Sequence, residues 1–221
     1  MTFSICLRES YEDDKGNVQY RFGAAVTTRR PAVGARCLWG NSAGVVVTQG
    51  QTNPQLGQRG VRYLSEGLEI DDTVRALLSI DHDTTQRQVH GLDVNGGFVH
   101  TGTNCPASAG SIVEDGLTVA GNTLTGDDVL RETVDAAIQS REESMIDRLI
   151  AGLGAGQEAG GDRRHERRIQ SAAAIVRTTA NDKKLDPFDH DLRIDASPSP
   201  IIDLKNLLQT IRSVDDGEGE K

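Results

Sequence analysis

The chain is organised around its start, Met1-Thr2-Phe3-Ser4-Ile5-Cys6-Leu7-Arg8. Phe3, Ile5 and Leu7 alternate with Ser4, Cys6 and Arg8, the period of two expected of a β-strand with one apolar face. A terminus built into a sheet is held still, whereas most termini fray. The residue heading this strand, Thr2, is small. Cells generally remove an initiator Met that precedes a small residue, and loss of Met1 would leave Thr2 with a free α-amine beside its hydroxyl. Such a pair is a self-contained nucleophile and base. The reference pKa of an α-amine, about 7.7–8.0, keeps a useful fraction neutral near pH 7. Taken alone, the terminus reads more plainly as an ordinary first strand.

Working outward, the first strand runs to about Glu9, and Asp13-Asp14-Lys15-Gly16-Asn17 has turn chemistry. Val18 to Val26 returns as a second strand, and Thr27-Thr28-Arg29-Arg30-Pro31 is a loop, since Pro31 lacks the N–H that continues a ladder and biases Arg30 to an extended conformation. Ala35 to Trp39 and Ala43 to Gln49 read as a second hairpin about Gly40-Asn41-Ser42, with Gly44-Val45-Val46-Val47 a central strand. Asn53 suits a helix cap and Pro54 the first position of a helix reaching about Glu66. Ile70, Val74, Leu77 and Leu78 mark a second helix. Gln86 to Val94 and Phe98 to Gly102 form a hairpin across Asn95-Gly96-Gly97, and Ile112 to Glu114 and Leu117 to Ala120 add strand.

Two helices follow. Asp127 to Gln139 carries Leu130, Val134, Ala137 and Ile138 on one face; Glu142 to Ala155 carries Met145, Ile146, Leu149, Ile150 and Leu153. Ser171 to Arg177 and Asp191 to Asp195 are strands, and Pro200 to about Arg212 is a last helix. Runs of strands alternating with pairs of helices predict an α+β fold with antiparallel sheets. Helices covering the outer faces of two stacked sheets give a four-layer αββα sandwich. Residues 1–213 are expected to form one domain, with an acidic, disordered tail over 214–221.

Composition narrows the function. The chain has 221 residues, a net charge of -9 and a pI of about 5.0, which argues against nucleic acid or an anionic membrane as partner. No apolar stretch approaches the roughly 20 residues that span a bilayer, and the start lacks a basic segment followed by an apolar run; the expectation is a cytoplasmic protein. Cys6, Cys37 and Cys105 are odd in number and have no Cys-x-x-Cys spacing, so they suggest neither a disulfide framework nor a thiolate metal site. Asp81-His82-Asp83 and Asp189-His190-Asp191 are potential ligand clusters, but each reads first as a solvated turn. No metal or organic cofactor is implied.

Four stretches carry more than pattern. Thr2 and Ser4 share one strand face. Val47-Thr48-Gln49-Gly50-Gln51-Thr52-Asn53-Pro54 sets amides at a strand end against a helix N-terminus, which favours developing negative charge. Ala120-Gly121-Asn122-Thr123-Leu124 is polar at another strand end. Gly160-Gly161-Asp162-Arg163-Arg164, before Gln170-Ser171-Ala172, can bring guanidinium groups to a ligand carboxylate. Singly, each also reads as ordinary loop chemistry.

Together these stretches, with Ala32-Val33-Gly34, Asp191-Leu192-Arg193-Ile194-Asp195 and Pro200-Ile201, resemble the domain-of-unknown-function family 1028 over almost the whole chain. That family sits structurally with the N-terminal nucleophile hydrolases. The resemblance implies the αββα sandwich and a candidate Thr nucleophile; it implies no substrate. Where many relatives carry a Lys or Arg after a small residue, this chain has Thr28-Arg29, and His165-Glu166-Arg167-Arg168 makes the segment after the Gly-rich motif longer and more charged. The expected activity is an amidohydrolase acting on a small amide or peptide. Thr2 would be nucleophile and base, Asn122 or nearby backbone amides would hold the oxyanion, and Asp162 and Arg29 would position the terminus. Ser4, Gln49, Asn53, Arg163 and Arg164 would be substrate contacts. An inactive binding or structural domain of the same fold, which retention of Met1 would favour, is the alternative; a metal-dependent hydrolase using His190 and its flanking aspartates is a third. A homo-oligomer is compatible with outward helix layers.

Overall fold

In the computed structural model, which describes residues 2–164, 166, 168–179 and 190–218, the opening stretch is strand β1, Thr2–Glu12. It turns at Asp13, whose carboxylate accepts the amides of Lys15 and Asn17, and returns as β2, Val18–Thr28. A helical turn α1 (Gly34–Cys37) leads to β3 (Leu38–Asn41) and β4 (Gly44–Gly50). Helices α2 (Pro54–Ser65) and α3 (Ile70–Ser79) precede β5 (Arg87–Leu92), β6 (Gly97–Thr101), β7 (Gly110–Glu114) and β8 (Leu117–Asn122). Helices α4 (Asp128–Gln139) and α5 (Met145–Glu158), strands β9 (Gln170–Thr178) and β10 (Asp191–Ser197) and helix α6 (Pro200–Glu218) complete the chain.

The strands form two antiparallel sheets, β10-β9-β2-β1-β8-β7 and β3-β4-β5-β6. β1 lies inside the larger sheet, paired along its first half on both edges, so its N-terminal residue is fixed by two ladders rather than one. Three cores define the layers. Phe3, Ile5 and Leu7 pack under α4, α5 and α6. Cys6, Phe22, Ala24 and Val26 face Leu38, Val45 and Val47 across the space between the sheets. Val46 and Val89 of the smaller sheet pack under α2 and α3 through Leu56, Leu64, Val74 and Leu77. The result is the αββα sandwich, an α+β fold. Full burial of a Phe, Ile or Leu side chain stabilises by about 1.5–3 kcal/mol, so the Phe3-Ile5-Leu7 stripe anchors β1 strongly. No helix is long and apolar enough to cross a membrane among the described residues.

Three local expectations change. Residues 35–37 do not extend a strand: the amides of Arg36 and Cys37 turn back onto the Val33 carbonyl. The tertiary setting imposes that turn, because the Val33 amide donates to Ser171 Oγ and the Ala32 amide to the Asp195 carbonyl as the chain crosses between sheets. On α4, Ile138 is 48% exposed and Val129 and Thr133 take the buried face with Leu130, Val134 and Ala137. Finally, α6 runs past Arg212 to Glu218; the stretch expected as tail is helical over 214–218, and 219–221 lie outside the described residues.

Candidate active site

The antiparallel registers place Thr2 opposite Thr28 on one side and Asn122 on the other. Thr2 Oγ1 donates to Thr28 Oγ1 at 3.2 Å. All three residues line a cleft of about 560 Å³ formed by the ends of β1, β2 and β8, the segment around α1 and the Gly50–Pro54 connection into α2. Arg30, Arg36 and Arg164 also line it. Among the described residues three non-glycine residues have left-handed backbone, Ala32 (φ 59°), Ser108 (φ 56°) and Thr123 (φ 57°). Thr123 is in the cleft wall and Ala32 lies between two wall residues, Pro31 and Val33, while the Ser108 carbonyl holds the Leu124 amide. Such conformations cost of order 1–3 kcal/mol each and concentrate where a site is built.

Beneath this wall is Asp162, 1% exposed. Gly160 (φ 114°) and Gly161 (φ 50°) turn the chain in conformations that disfavour side chains. Bridges from Leu124 to Asp162 and from the Thr125 amide to the Gly161 carbonyl then tie this turn to the end of β8. Asp162 accepts from the Arg164 amide (2.9 Å), Arg164 Nε (3.1 Å) and Nη2 (2.8 Å), and from the Arg29 amide (3.2 Å). Burial pushes its carboxyl pKa up, but the hydrogen bonds and charge of Arg164 outweigh that and hold it below its ordinary value. Asp162 is therefore an ionised clamp that aims Arg164 at the cleft and ties the end of β2 to the Gly-rich turn.

Behind the cleft, the second face of β1 is buried at Ser4 and Cys6. Ser4 Oγ donates to Gln49 Oε1 (3.0 Å), Gln49 Nε2 donates to Gln88 Oε1 (2.9 Å), and Asn122 Nδ2 donates to the same oxygen (3.1 Å). Gln88 Nε2 in turn donates to the Gly121 carbonyl (3.0 Å). His90 Nε2 is 2.8 Å from Ser4 Oγ and His90 Nδ1 is 2.9 Å from Thr118 Oγ1. Because the Ser4 proton goes to Gln49, this pattern assigns His90 Nε2–H as donor to Ser4 and Nδ1 as acceptor from Thr118. Burial pushes the His90 pKa down to about 3, so the ring is neutral. Fully satisfied buried networks of this kind fix a unique geometry, and here the fixed element is Asn122. One of its amide hydrogens is engaged by Gln88, and the residue itself lines the cleft. The amides of Thr123 and Leu124, by contrast, are already bonded to the Ala107 and Ser108 carbonyls.

The expected site residues thus separate. Thr2, Asn122 and Arg164 meet in the cleft wall, with Asp162 under Arg164. Arg29 joins through its backbone amide. Ser4 and Gln49 are fully buried in the network between the sheets, because the face they occupy packs on the second sheet. Asn53 accepts the Gln55 amide at the start of α2 and approaches Asp81 at 3.5 Å; its neighbours Thr52 and Pro54 line the cleft in its place. Arg163 is exposed and outside the wall. Residues that sequence reasoning passed over are Arg30 and Arg36 in the wall and Gln88 and His90 behind it; Arg30, beside Arg29 and Pro31 at a strand end, was the one with a local signal. Cys37 also lines the cleft, but burial pushes its thiol up to about 12, too high for a thiolate nucleophile.

The aspartates flanking His82 are not both solvated. Asp81 pairs with Arg87 through Nε–Oδ2 (2.7 Å) and Nη2–Oδ1 (3.1 Å), with side chains only 5% and 7% exposed, and Arg87 Nη1 donates to the Gln51 carbonyl at 2.6 Å. The pair therefore anchors one lip of the cleft. The hydrogen bonds from Arg87 hold the Asp81 carboxyl down at about 2; the stability this gives is present above the ordinary carboxylate range and lost as pH falls through about 2. Arg87→Met is expected to lose about 3–5 kcal/mol of stability in urea titrations at pH 7, since it leaves a buried carboxylate unpaired; a loss under 1 kcal/mol would show the pair to be solvated. Among the described residues no group of three His, Cys, Asp or Glu side chains is arranged to hold a metal. Asp189 lies outside those residues, as do Met1, His165 and Arg167.

A protein-family model described as a family of unknown function (DUF1028) matches residues 2–204. A crystal structure of a protein from Silicibacter pomeroyi, described with the same family, is similar at 28% identity with a TM-score of 0.77, covering 95% of this chain and 88% of that one. No curated protein matches.

Proposed function

Because the chain belongs to the family of unknown function DUF1028, whose description assigns no reaction, we propose from the geometry that the protein is an amidohydrolase of the N-terminal nucleophile type. The observation that carries this is the placement of the Thr2 hydroxyl in a cleft wall, at the head of a strand locked on both sides, with the Asn122 carboxamide directly across the ladder. Once Met1 is removed, the Thr2 α-amine takes the hydroxyl proton as Oγ1 attacks the amide carbonyl carbon. The oxyanion accepts an Asn122 N–H, an interaction of the kind worth several kcal/mol in a transition state. The C–N bond breaks, the amine leaves with the proton, and an ester on Thr2 remains. Water hydrolyses the ester, releasing the acid and returning the proton to Oγ1. Asp162 acts at one remove by fixing Arg164, and Arg29 by closing the loop over it. The substrate is a small soluble amide or peptide, and the mechanism calls for no cofactor.

The test is covalent trapping. A β-lactone opens on a nucleophilic hydroxyl to give an ester. Chain lacking Met1 should gain one probe mass on the peptide that begins with Thr2, and chain purified from cells with Met removal blocked should gain none. Labelling of Cys37 alone, or equal labelling of both chains, would overturn the mechanism.

A further inference from the structure

The charge of the cleft wall opposes the charge of the chain. The protein carries -9 overall, yet Arg30, Arg36 and Arg164 line the cleft and no Asp or Glu does among the described residues. The charge of Arg164 is balanced by Asp162 at 2.8 Å. Arg30 and Arg36 are both exposed, and neither ion-pairs with a described carboxylate. One exposed arginine demands no ligand. Two that converge on the wall holding the candidate nucleophile, in a strongly acidic protein, make a local positive field where low-dielectric walls focus it. A guanidinium presents a planar fork that pairs with a carboxylate through two hydrogen bonds. Arg30 lies in the bend two residues beyond Thr28, the ladder partner of Thr2, at most about 7 Å along the chain. The anion and the scissile bond therefore fit within one small molecule.

We propose that the cleft takes an amide bearing a free carboxylate on the side away from the scissile bond, an N-acyl amino acid or the C-terminal end of a short peptide, and that Arg30 and Arg36 hold that carboxylate. The substrate class rests on the amidohydrolase mechanism above, whereas carboxylate binding itself does not.

The experiment is isothermal titration of chain lacking Met1, and of its Thr2→Ala variant, with N-acetyl-Ala-Ala as the free acid and as the C-terminal amide. The acid should bind both proteins at least tenfold more tightly than the amide, and raising NaCl from 0.05 to 0.5 M should shrink that preference, as expected of screened charges. Arg30→Gln/Arg36→Gln should reduce it to about onefold, with an unchanged thermal midpoint because both side chains are exposed. Equal binding of acid and amide, no binding of either at millimolar concentration, or a preference that survives the double substitution would overturn the proposal. A carboxylate preference without hydrolysis of any N-acyl amino acid would support the carboxylate site and count against the amidohydrolase mechanism, so the two can fail separately.

Discussion

Thr2→Ala is expected to lower amide turnover by at least about 10³-fold while leaving substrate binding within about threefold, because the deleted hydroxyl acts in the transition state and not in ground-state binding. The structure makes the substitution clean. Thr2 is half-buried, and its side chain makes one hydrogen bond, to Thr28 Oγ1. Losing one such bond costs about 0.5–1.5 kcal/mol, far less than unfolding a strand anchored by Phe3, Ile5 and Leu7 beneath the helices. Ala at position 2 still permits Met removal, so the amine is retained and the hydroxyl alone is tested. Thr2→Ser restores the hydroxyl and should keep part of the activity, although without the methyl group the nucleophile has more rotamers to sample. Single-turnover kinetics on an N-acyl amino acid, with calorimetric binding alongside, give the comparison. Undiminished turnover in Thr2→Ala would remove the nucleophile from the mechanism, and the cleft would then belong to a binding module.

The architecture was legible because its signals are local. Pro54 after Asn53 marked the start of α2, and the Met145-Ile146-Leu149-Ile150-Leu153 spacing marked the buried face of α5. The alternation in β1 gave its register but not the environment of its second face. Ser4 is expected as a substrate contact beside Thr2, yet Ser4 and Cys6 are both fully buried, because that face packs on a second sheet whose Gln49, Gln88 and His90 return the hydrogen bonds. No window of sequence shows that pairing: Ser4 and His90 are 86 residues apart. The same reason explains the site. Asn122 and Asp162 lie at strand and turn ends whose chemistry can be read locally, whereas Arg30 and Arg36 become cleft residues only through the turn that crosses between the sheets. Arg163 and Arg164 are equivalent in sequence, and only the Asp162 clamp selects the second for the wall.

The buried network also predicts a specific acid lability. His90 is fully buried. It faces Ser4 and Cys6 on β1, Thr118 on β8 and, across the two ladders of its own sheet, Val47 and Val99. None is a carboxylate, and the Cys6 thiol is pushed up to about 12 by burial, so nothing stabilises an imidazolium there. The folded pKa of about 3 lies below the ordinary 6.5. Below pH 6.5 the unfolded chain therefore binds a proton that the folded chain refuses. Stability is complete above 6.5 and falls by about 1.4 kcal/mol per pH unit as pH drops toward 3. Between pH 6.5 and 4.5 the loss should be about 2 kcal/mol. The buried Asp81 does not contribute in that window, since it titrates near 2. His90→Gln keeps a donor for Ser4 and an acceptor for Thr118 but cannot titrate. It should be less stable than the parent at pH 7, since a longer, flexible amide fills the ring's site imperfectly. Its urea midpoint should nevertheless be flatter across pH 6.5–4.5, so that the gap between the two proteins narrows on acidification. Parallel midpoint-versus-pH curves for parent and variant would show that His90 is not the group responsible, and that the network admits a proton the geometry says it excludes.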